Sequence, residues 1–395
     1  MIVLAGGDLV LPDRILSRGS LIVDGDRIVA IDPRDRVEPA GATVIDAGEH
    51  YVVPGFVDVH VHGLLGRDTL DGSDAVGAIA AALPRYGVTA FCPTTVACAP
   101  GDLRMVLTAV RDARAAARPG AARVLPAHLE SNFINPEYRG AQPLECLRTA
   151  HTPAAHGEYA GADILDVIAA HRPDVGIITL APEMAGGMDL VSALVAAGHR
   201  VSIGHSGATF DEANTAIDAG VRQATHLFNR MTPMSHRAPG LAGAVLAREE
   251  VCAELVCDGY HVHPAVCRVA LAAKGTAGIM AITDGTAGAA MPVGHAATLG
   301  GRTVTVRREA AFLDDGTLAG STLTMEGAFR NIVTMFGRSV VDAALLCSTT
   351  PAHELQLTGL GLIANGALAD LVLLDRAFGV VRTFIAGRQA YCREP

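Results

Sequence analysis

His60 and His62 stand one residue apart at the end of the apolar run Phe56-Val57-Asp58-Val59, behind the breaker Pro54-Gly55. On a strand, residues two apart project to the same side, so the two imidazoles share a face. Buried imidazoles each bring a ring nitrogen that needs a partner, and a pair of them makes half of a metal site rather than a good core. Spacing alone does not decide this, because two histidines so placed also occur by chance. Further along, Glu130, His205, His226 and Asp284 each close another short apolar run. Taken singly, Asp284 before Gly285 is a turn residue and His226 an ordinary buried histidine. Together the six supply nitrogen and hard oxygen donors without cysteine, which points to Zn²⁺, Fe²⁺ or Mn²⁺ and to a water made nucleophilic near neutral pH.

Elements that could gather these residues recur at regular intervals. Residues 56–60, 88–92, 124–130, 175–180, 200–205, 223–226, 252–257 and 279–284 read as short apolar strands, separated by Ala-rich helical patterns such as 102–118, 188–197 and 264–274. Alternating strands and helices predict a parallel sheet, and eight such strands predict a closed (β/α)8 TIM-like barrel with its chemistry at the strands' carboxyl ends. An open doubly wound sheet is the alternative, but no Gly-rich dinucleotide turn follows the first strand. Residues 285–320 break the rhythm, and Thr303 to Val306 there suggests an extra hairpin over the barrel mouth. Strand and turn patterns without helices occupy residues 1–54 and return from about residue 361. Neither end is long enough to close a β-core alone, so the expected α/β fold adds a small β-sandwich domain built from both chain termini. The expected domains are 1–54 and 351–395 for the sandwich and 55–350 for the barrel.

Composition excludes several functions. The chain has 395 residues, 50% of them hydrophobic and 18% charged, with a net charge of −10. An acidic chain without a basic stripe is not built for nucleic acid or an anionic membrane surface. No basic segment followed by an apolar one opens the sequence, and no apolar run reaches membrane-spanning length, so the expected location is cytoplasmic. The eight cysteines lack CxxC spacing and read as reduced, mostly buried thiols.

Several motifs carry a family likeness: His60-Val61-His62, His128-Leu129-Glu130, Ser202-Ile203-Gly204-His205-Ser206, Ala224-Thr225-His226-Leu227-Phe228-Asn229, His236-Arg237-Ala238-Pro239-Gly240, Asp258-Gly259-Tyr260-His261, Thr283-Asp284-Gly285 and Leu318-Ala319-Gly320-Ser321. With them the chain resembles the amidohydrolase superfamily and, within it, the N-acetylglucosamine-6-phosphate deacetylases, over essentially its whole length. The resemblance implies that Glu130, His205 and His226 bind the main divalent metal, Zn²⁺ first and Fe²⁺ or Mn²⁺ next. It also implies that His60 and His62 hold a second ion, giving one or two per subunit, and that Asp284 is the general acid/base. Asn229, Arg237 and His261 would contact the sugar phosphate, with Arg237 and His261 typically crossing to a neighbouring subunit, so a homodimer is implied. Ala141, Gln142, Arg230, Leu318, Ala319 and Gly320 complete the expected substrate shell.

Three departures fall within that shell. The family's Leu-Glu-Gly-Pro-Phe is Leu129-Glu130-Ser131-Asn132-Phe133 here, its Gly-Ala-His is Gly140-Ala141-Gln142, and the Ala after the phosphate-contacting Asn is Arg230. Gln142 can donate a hydrogen bond to an acyl oxygen but cannot carry charge. The expected reaction is metal-assisted hydrolysis of the acetyl amide of N-acetylglucosamine 6-phosphate, with Asp284 taking a proton from water and returning it to the amine. The alternatives are an amidohydrolase acting on another N-acyl amino sugar or cyclic amide, and a sugar-phosphate binding homologue that has lost its chemistry. Retention of every ligand position and of Asp284 argues against the latter.

Overall fold

The computed structural model describes residues 1–32, 41–116, 118–154, 158–307 and 310–394. At its centre, eight parallel barrel strands follow one another in chain order: Phe56–Val61, Val88–Thr95, Ala127–Glu130 (preceded by Arg123–Val124), Val175–Leu180, Arg200–Ile203, Gln223–Ala224, Cys252–Val256 and Ile279–Ile282. Pro126 has no N–H to donate, which explains why the third strand is split. The ring closes where Asp284 N–H donates to the His60 carbonyl (3.0 Å) and His62 N–H to that of Gly285 (2.9 Å). These two bonds also set Asp284 beside the paired histidines.

Helices alternate with the strands on sequence cues that can be named. Pro100–Ala115 starts with proline in its first turn, where no N–H is needed, and buries Leu103, Val106, Leu107 and Val110 at helical spacing against the barrel. Phe210–Asp218 opens with a reciprocal cap: Thr209 Oγ1 accepts from Glu212 N–H (3.3 Å), and Glu212 Oε2 accepts from Thr209 N–H (2.8 Å). Pro264–Lys274 matches the span expected from the sequence.

Both chain ends build one eight-stranded sheet. Tyr51–Pro54 pairs antiparallel with Leu371–Leu374, and Val380–Ile385 and Arg388–Cys392 continue from there. On its other side, Tyr51–Pro54 runs parallel to Ile2–Val10, which leads to Ile15–Asp24 and Arg27–Asp32. Ile28 N–H then donates to the Ala367 carbonyl (2.9 Å), so the far strand returns to the C-terminal segment and the sheet curls over one core. Leu4, Leu9, Leu21 and Ile28 pack there with Leu371, Leu373 and Phe384.

Over the barrel mouth, the expected hairpin is a three-stranded sheet: Ala296–Leu299, Arg302–Val306 and Ala311–Leu313. Gly300 and Gly301, at φ 56° and 78°, form the two-residue left-handed turn that joins the first pair.

Candidate active site

The six residues expected to carry chemistry meet in one buried cluster. Glu130, the last residue of the third strand, lies at its centre: its Oε1 is 2.9 Å from His205 Nε2 and 2.8 Å from His226 Nε2. Those two nitrogens are 3.0 Å apart. On the opposite side, His60 Nε2 and His62 Nε2 lie 3.1 Å apart, and His62 Nε2 is 3.5 Å from Glu130 Oε2. Asp284 Oδ1 completes the ring, 3.4 Å from His62 Nε2 and 3.5 Å from His60 Nε2. Four imidazole nitrogens therefore converge on two carboxylates.

Local backbone explains how they converge. His205, His226 and Asp284 stand two residues past the last paired residue of their strands, and all three take left-handed φ of 47°, 30° and 50°. Side chains that simple strand alternation would distribute to both faces are thereby turned to one centre.

Electrostatics follows from burial and proximity. Burial opposes ionisation of Glu130, but the His205, His226 and His62 imidazoles overcome it and hold the carboxyl well below its ordinary range. Burial likewise pushes Asp284 up, and the imidazoles of His60, His62 and His226 bring it below. Desolvation disfavours a charged His62, yet Asp284 and Glu130 raise it to about 10. His226, raised chiefly by Glu130 against the same desolvation, reaches about 9. The pattern is that of a site with strong demand for positive charge.

The donor set fits a divalent metal. His60, His62 and Glu130 form one group whose ligand atoms lie within 4.8 Å of one another, and Glu130, His205 and His226 form another, sharing the carboxylate. His62 Nδ1 and His226 Nδ1 are buried and have no hydrogen-bond partner among the described residues, so the polar capacity these rings use is aimed at the centre. His205 Nδ1 donates to the Tyr138 carbonyl (2.8 Å), which leaves Nε2 as a lone pair for a ligand.

Above this floor opens a pocket lined by Gly140, Ala141, Gln142, Asn229, Arg230, His261, Leu299, Leu318 and Gly320. His261, expected to serve a neighbouring subunit, lines this chain's own pocket instead, because Asp258 holds it there: Oδ2 accepts from His261 Nδ1 (2.5 Å) and Oδ1 accepts from the Tyr260 and His261 N–H groups. Two expected residues lie elsewhere. Ala319 is buried in the cluster under the mouth sheet, between the two pocket residues that flank it. Arg237 is exposed and does not line this chain's own pocket.

The sequence of residues 51–390 matches the amidohydrolase family. This chain belongs to the amidohydrolase family, among its N-acetylglucosamine-6-phosphate deacetylases. It is 34% identical to an N-acetylglucosamine-6-phosphate deacetylase of Lysinibacillus sphaericus, over 89% of this chain and 88% of that protein. It is 32% identical to an N-acetylgalactosamine-6-phosphate deacetylase of Escherichia coli O157:H7, over 95% and 97%. Among solved structures, it is similar to a variant of N-acetyl-D-glucosamine-6-phosphate deacetylase from Mycobacterium smegmatis in complex with N-acetyl-D-glucosamine-6-phosphate. That likeness has a TM-score of 0.88 and 31% identity, over 98% of this chain and 99% of that one.

In this amidohydrolase the departures from the family motif have visible replacements. At the position where the family likeness predicts Gly-Pro, Ser131 Oγ donates to the Thr179 carbonyl (2.5 Å) and accepts from Phe133 N–H (3.1 Å), so a side chain makes the turn. Asn132 Nδ2 donates to the carbonyls of Cys98 (2.8 Å) and Cys146 (2.7 Å), clamping two neighbouring loops. The Gln142 amide is committed at both ends, with Oε1 accepting from Ala97 N–H (2.7 Å) and Nε2 donating to Glu130 Oε2. Through these bonds Gln142 links Glu130 to the backbone at Ala97. Arg230 is exposed, at φ 52°, and lies against Gly140, where an added Cβ would come within 2.8 Å of its Nε.

One residue of this amidohydrolase's site escapes the sequence reading. Glu254, in the middle of the seventh strand, is fully buried beneath the histidines, and its Oε2 accepts from His60 Nδ1–H (2.8 Å). The available signal was a single carboxylate inside the run Cys252-Ala253-Glu254-Leu255-Val256.

Proposed function

We propose that this amidohydrolase removes the acetyl group of N-acetylglucosamine 6-phosphate, giving glucosamine 6-phosphate and acetate. The observation that carries the reading is Asp284 set against the paired histidines and Glu130 at the floor of a pocket bearing His261, Asn229 and Arg230. Relatives named for this reaction support it.

Glu130, His205 and His226 would hold one ion, and His60 and His62 would hold a second; nitrogen and carboxylate donors without thiolate suit Zn²⁺. Such an ion lowers the pKa of water and polarises an acyl oxygen. Asp284, ionised among its imidazoles, takes the proton from the attacking water. It then returns that proton to the sugar nitrogen as the C–N bond breaks, leaving acetate and the amine. Gln142 holds Glu130 in place and has a second amide N–H to offer the acyl oxygen. His261, Asn229 and Arg230 receive the phosphate end, and the exposed Arg237 acts in the pocket of a neighbouring subunit, so the working unit is a homodimer. A phosphorylated sugar and eight free thiols suit the cytoplasm.

The 4-epimer, N-acetylgalactosamine 6-phosphate, is a second reading, favoured by the similarity to the Escherichia coli enzyme. Acetate release from both N-acetylhexosamines, each with and without 6-phosphate, tests these readings. The highest kcat/KM is expected on N-acetylglucosamine 6-phosphate. Arg237→Ala should lose about 2–5 kcal/mol of transition-state stabilisation on phosphorylated substrates alone. A preference for unphosphorylated sugar, or an equal loss on both classes, refutes the phosphate assignment.

A further inference from the structure

Among the four imidazoles on the floor of the site, only His60 is backed by a carboxylate. His62 Nδ1 and His226 Nδ1 lack a partner among the described residues, and His205 Nδ1 is bound to the neutral Tyr138 carbonyl. His60 Nδ1, by contrast, lies 2.8 Å from Glu254 Oε2, and both residues are fully buried. Glu254 is tied in from the other side as well. Its Oε1 accepts from Gln223 Nε2 (2.5 Å), its Oε2 also faces His226 N–H (3.3 Å), and Gln223 is itself held by Arg200 Nε (2.7 Å). Burying a carboxylate in a strand whose neighbours are Ala253 and Leu255 is costly, and a strand needed only for packing would carry an apolar residue there. A carboxylate on Nδ1–H does two things to an imidazole: it fixes the tautomer with the lone pair on Nε2, and it makes that lone pair more basic. His60 Nε2 is the atom that faces His62 Nε2 at 3.1 Å.

We propose that Glu254 is the positioning residue that makes His60 a metal ligand, and that it thereby decides whether this chain holds the second ion. The proposal rests on the two-ion reading above. Glutamine at this position has nearly the same shape but offers one acceptor oxygen where three N–H donors now converge, and it carries no charge.

The test measures zinc per subunit and zinc affinity, by elemental analysis and competition with a chromogenic chelator, for the purified holoenzyme and for Glu254→Gln, His60→Asn and the double variant. Expected is an ion bound roughly 10–100-fold more weakly in Glu254→Gln, the other ion unchanged, and no further weakening when Glu254→Gln is added to His60→Asn. Should Glu254→Gln not fold, as judged by its melting curve, Glu254→Asp withdraws the carboxylate by one methylene and must weaken the same ion. Two ions at wild-type affinity in a folded Glu254→Gln or Glu254→Asp overturn the proposal, while loss of one ion in His60→Asn keeps the two-ion reading standing. Weakening that persists undiminished in the His60→Asn background also overturns it, because Glu254 would then be acting on the fold and not through His60. A wild-type enzyme with a single ion, or His60→Asn with two, overturns the two-ion reading and this inference together.

Discussion

Three residues of the site, His205, His226 and Asp284, hold left-handed backbone that side chains other than glycine's rarely adopt. Each such residue costs on the order of 1–3 kcal/mol and persists only where its surroundings fix it. Here the fixing contacts are the barrel-closing bond from Asp284 N–H to the His60 carbonyl and the bonds from Asn135 N–H to the His205 carbonyl and from Asn229 N–H to the His226 carbonyl. Asparagine tolerates the same backbone, so Asp284→Asn changes proton affinity and little else. It is expected to cut kcat by roughly 10²–10⁴-fold while metal content stays near the wild-type value. Near-normal acetate release by that variant would remove Asp284 from the proton-transfer role. The six polar strand-end residues were legible in the sequence because each interrupts or ends an apolar run with a donor. Glu254 was not: one carboxylate inside such a run looks like strand alternation until its partner on another strand is in view.

At the scale of elements, the turn after the first strand is closely packed. A Cβ on Gly63 would lie 2.3 Å from the Arg67 carbonyl oxygen and 2.6 Å from the Ala287 nitrogen, both backbone atoms that cannot swing away. Gly63 N–H also donates to the Gly285 carbonyl (2.8 Å). Gly63→Ala is therefore expected to cost about 1–3 kcal/mol, read as a lower melting temperature, and to loosen His62, read as lower metal content. An alanine variant that melts and binds metal like wild type would show that this turn is not tight. The barrel strands were legible because buried parallel strands are continuous apolar runs. Their ends were overestimated at the fifth, sixth and eighth strands, which stop at Ile203, Ala224 and Ile282, since pairing stops where the chain turns left-handed and sequence pattern does not register φ. Within the two terminal stretches that read as strands and turns, two strands leave little individual signal. Tyr51–Pro54 ends in a proline that suggested a break, and Arg388–Cys392 is too polar to stand out.

For the whole molecule, burial and the two-ended sheet govern behaviour. Burial pushes the thiols of Cys92, Cys98, Cys252, Cys257, Cys267 and Cys347 upward, with Cys267 at about 12, so few are thiolates at neutral pH. Cys392, half-buried on the last strand, is expected to be the first site alkylated in the native enzyme, with those six modified only on unfolding. Peptide mapping after brief iodoacetamide treatment checks this, and early modification of Cys347 would contradict it. The sheet's central pairing, Tyr51–Pro54 on Leu371–Leu374, joins segments separated by nearly the whole barrel. A ribosome adding about 5–20 residues per second needs roughly 15–60 s to travel from one to the other. Throughout that interval the nascent N-terminal strands wait with the edge of Tyr51–Pro54 unpaired and Ile28 without its Ala367 acceptor, while the barrel can already assemble behind them. Synthesis that halts before Leu371 therefore releases a chain with an almost complete barrel and an open, apolar strand edge, the form most in need of a chaperone.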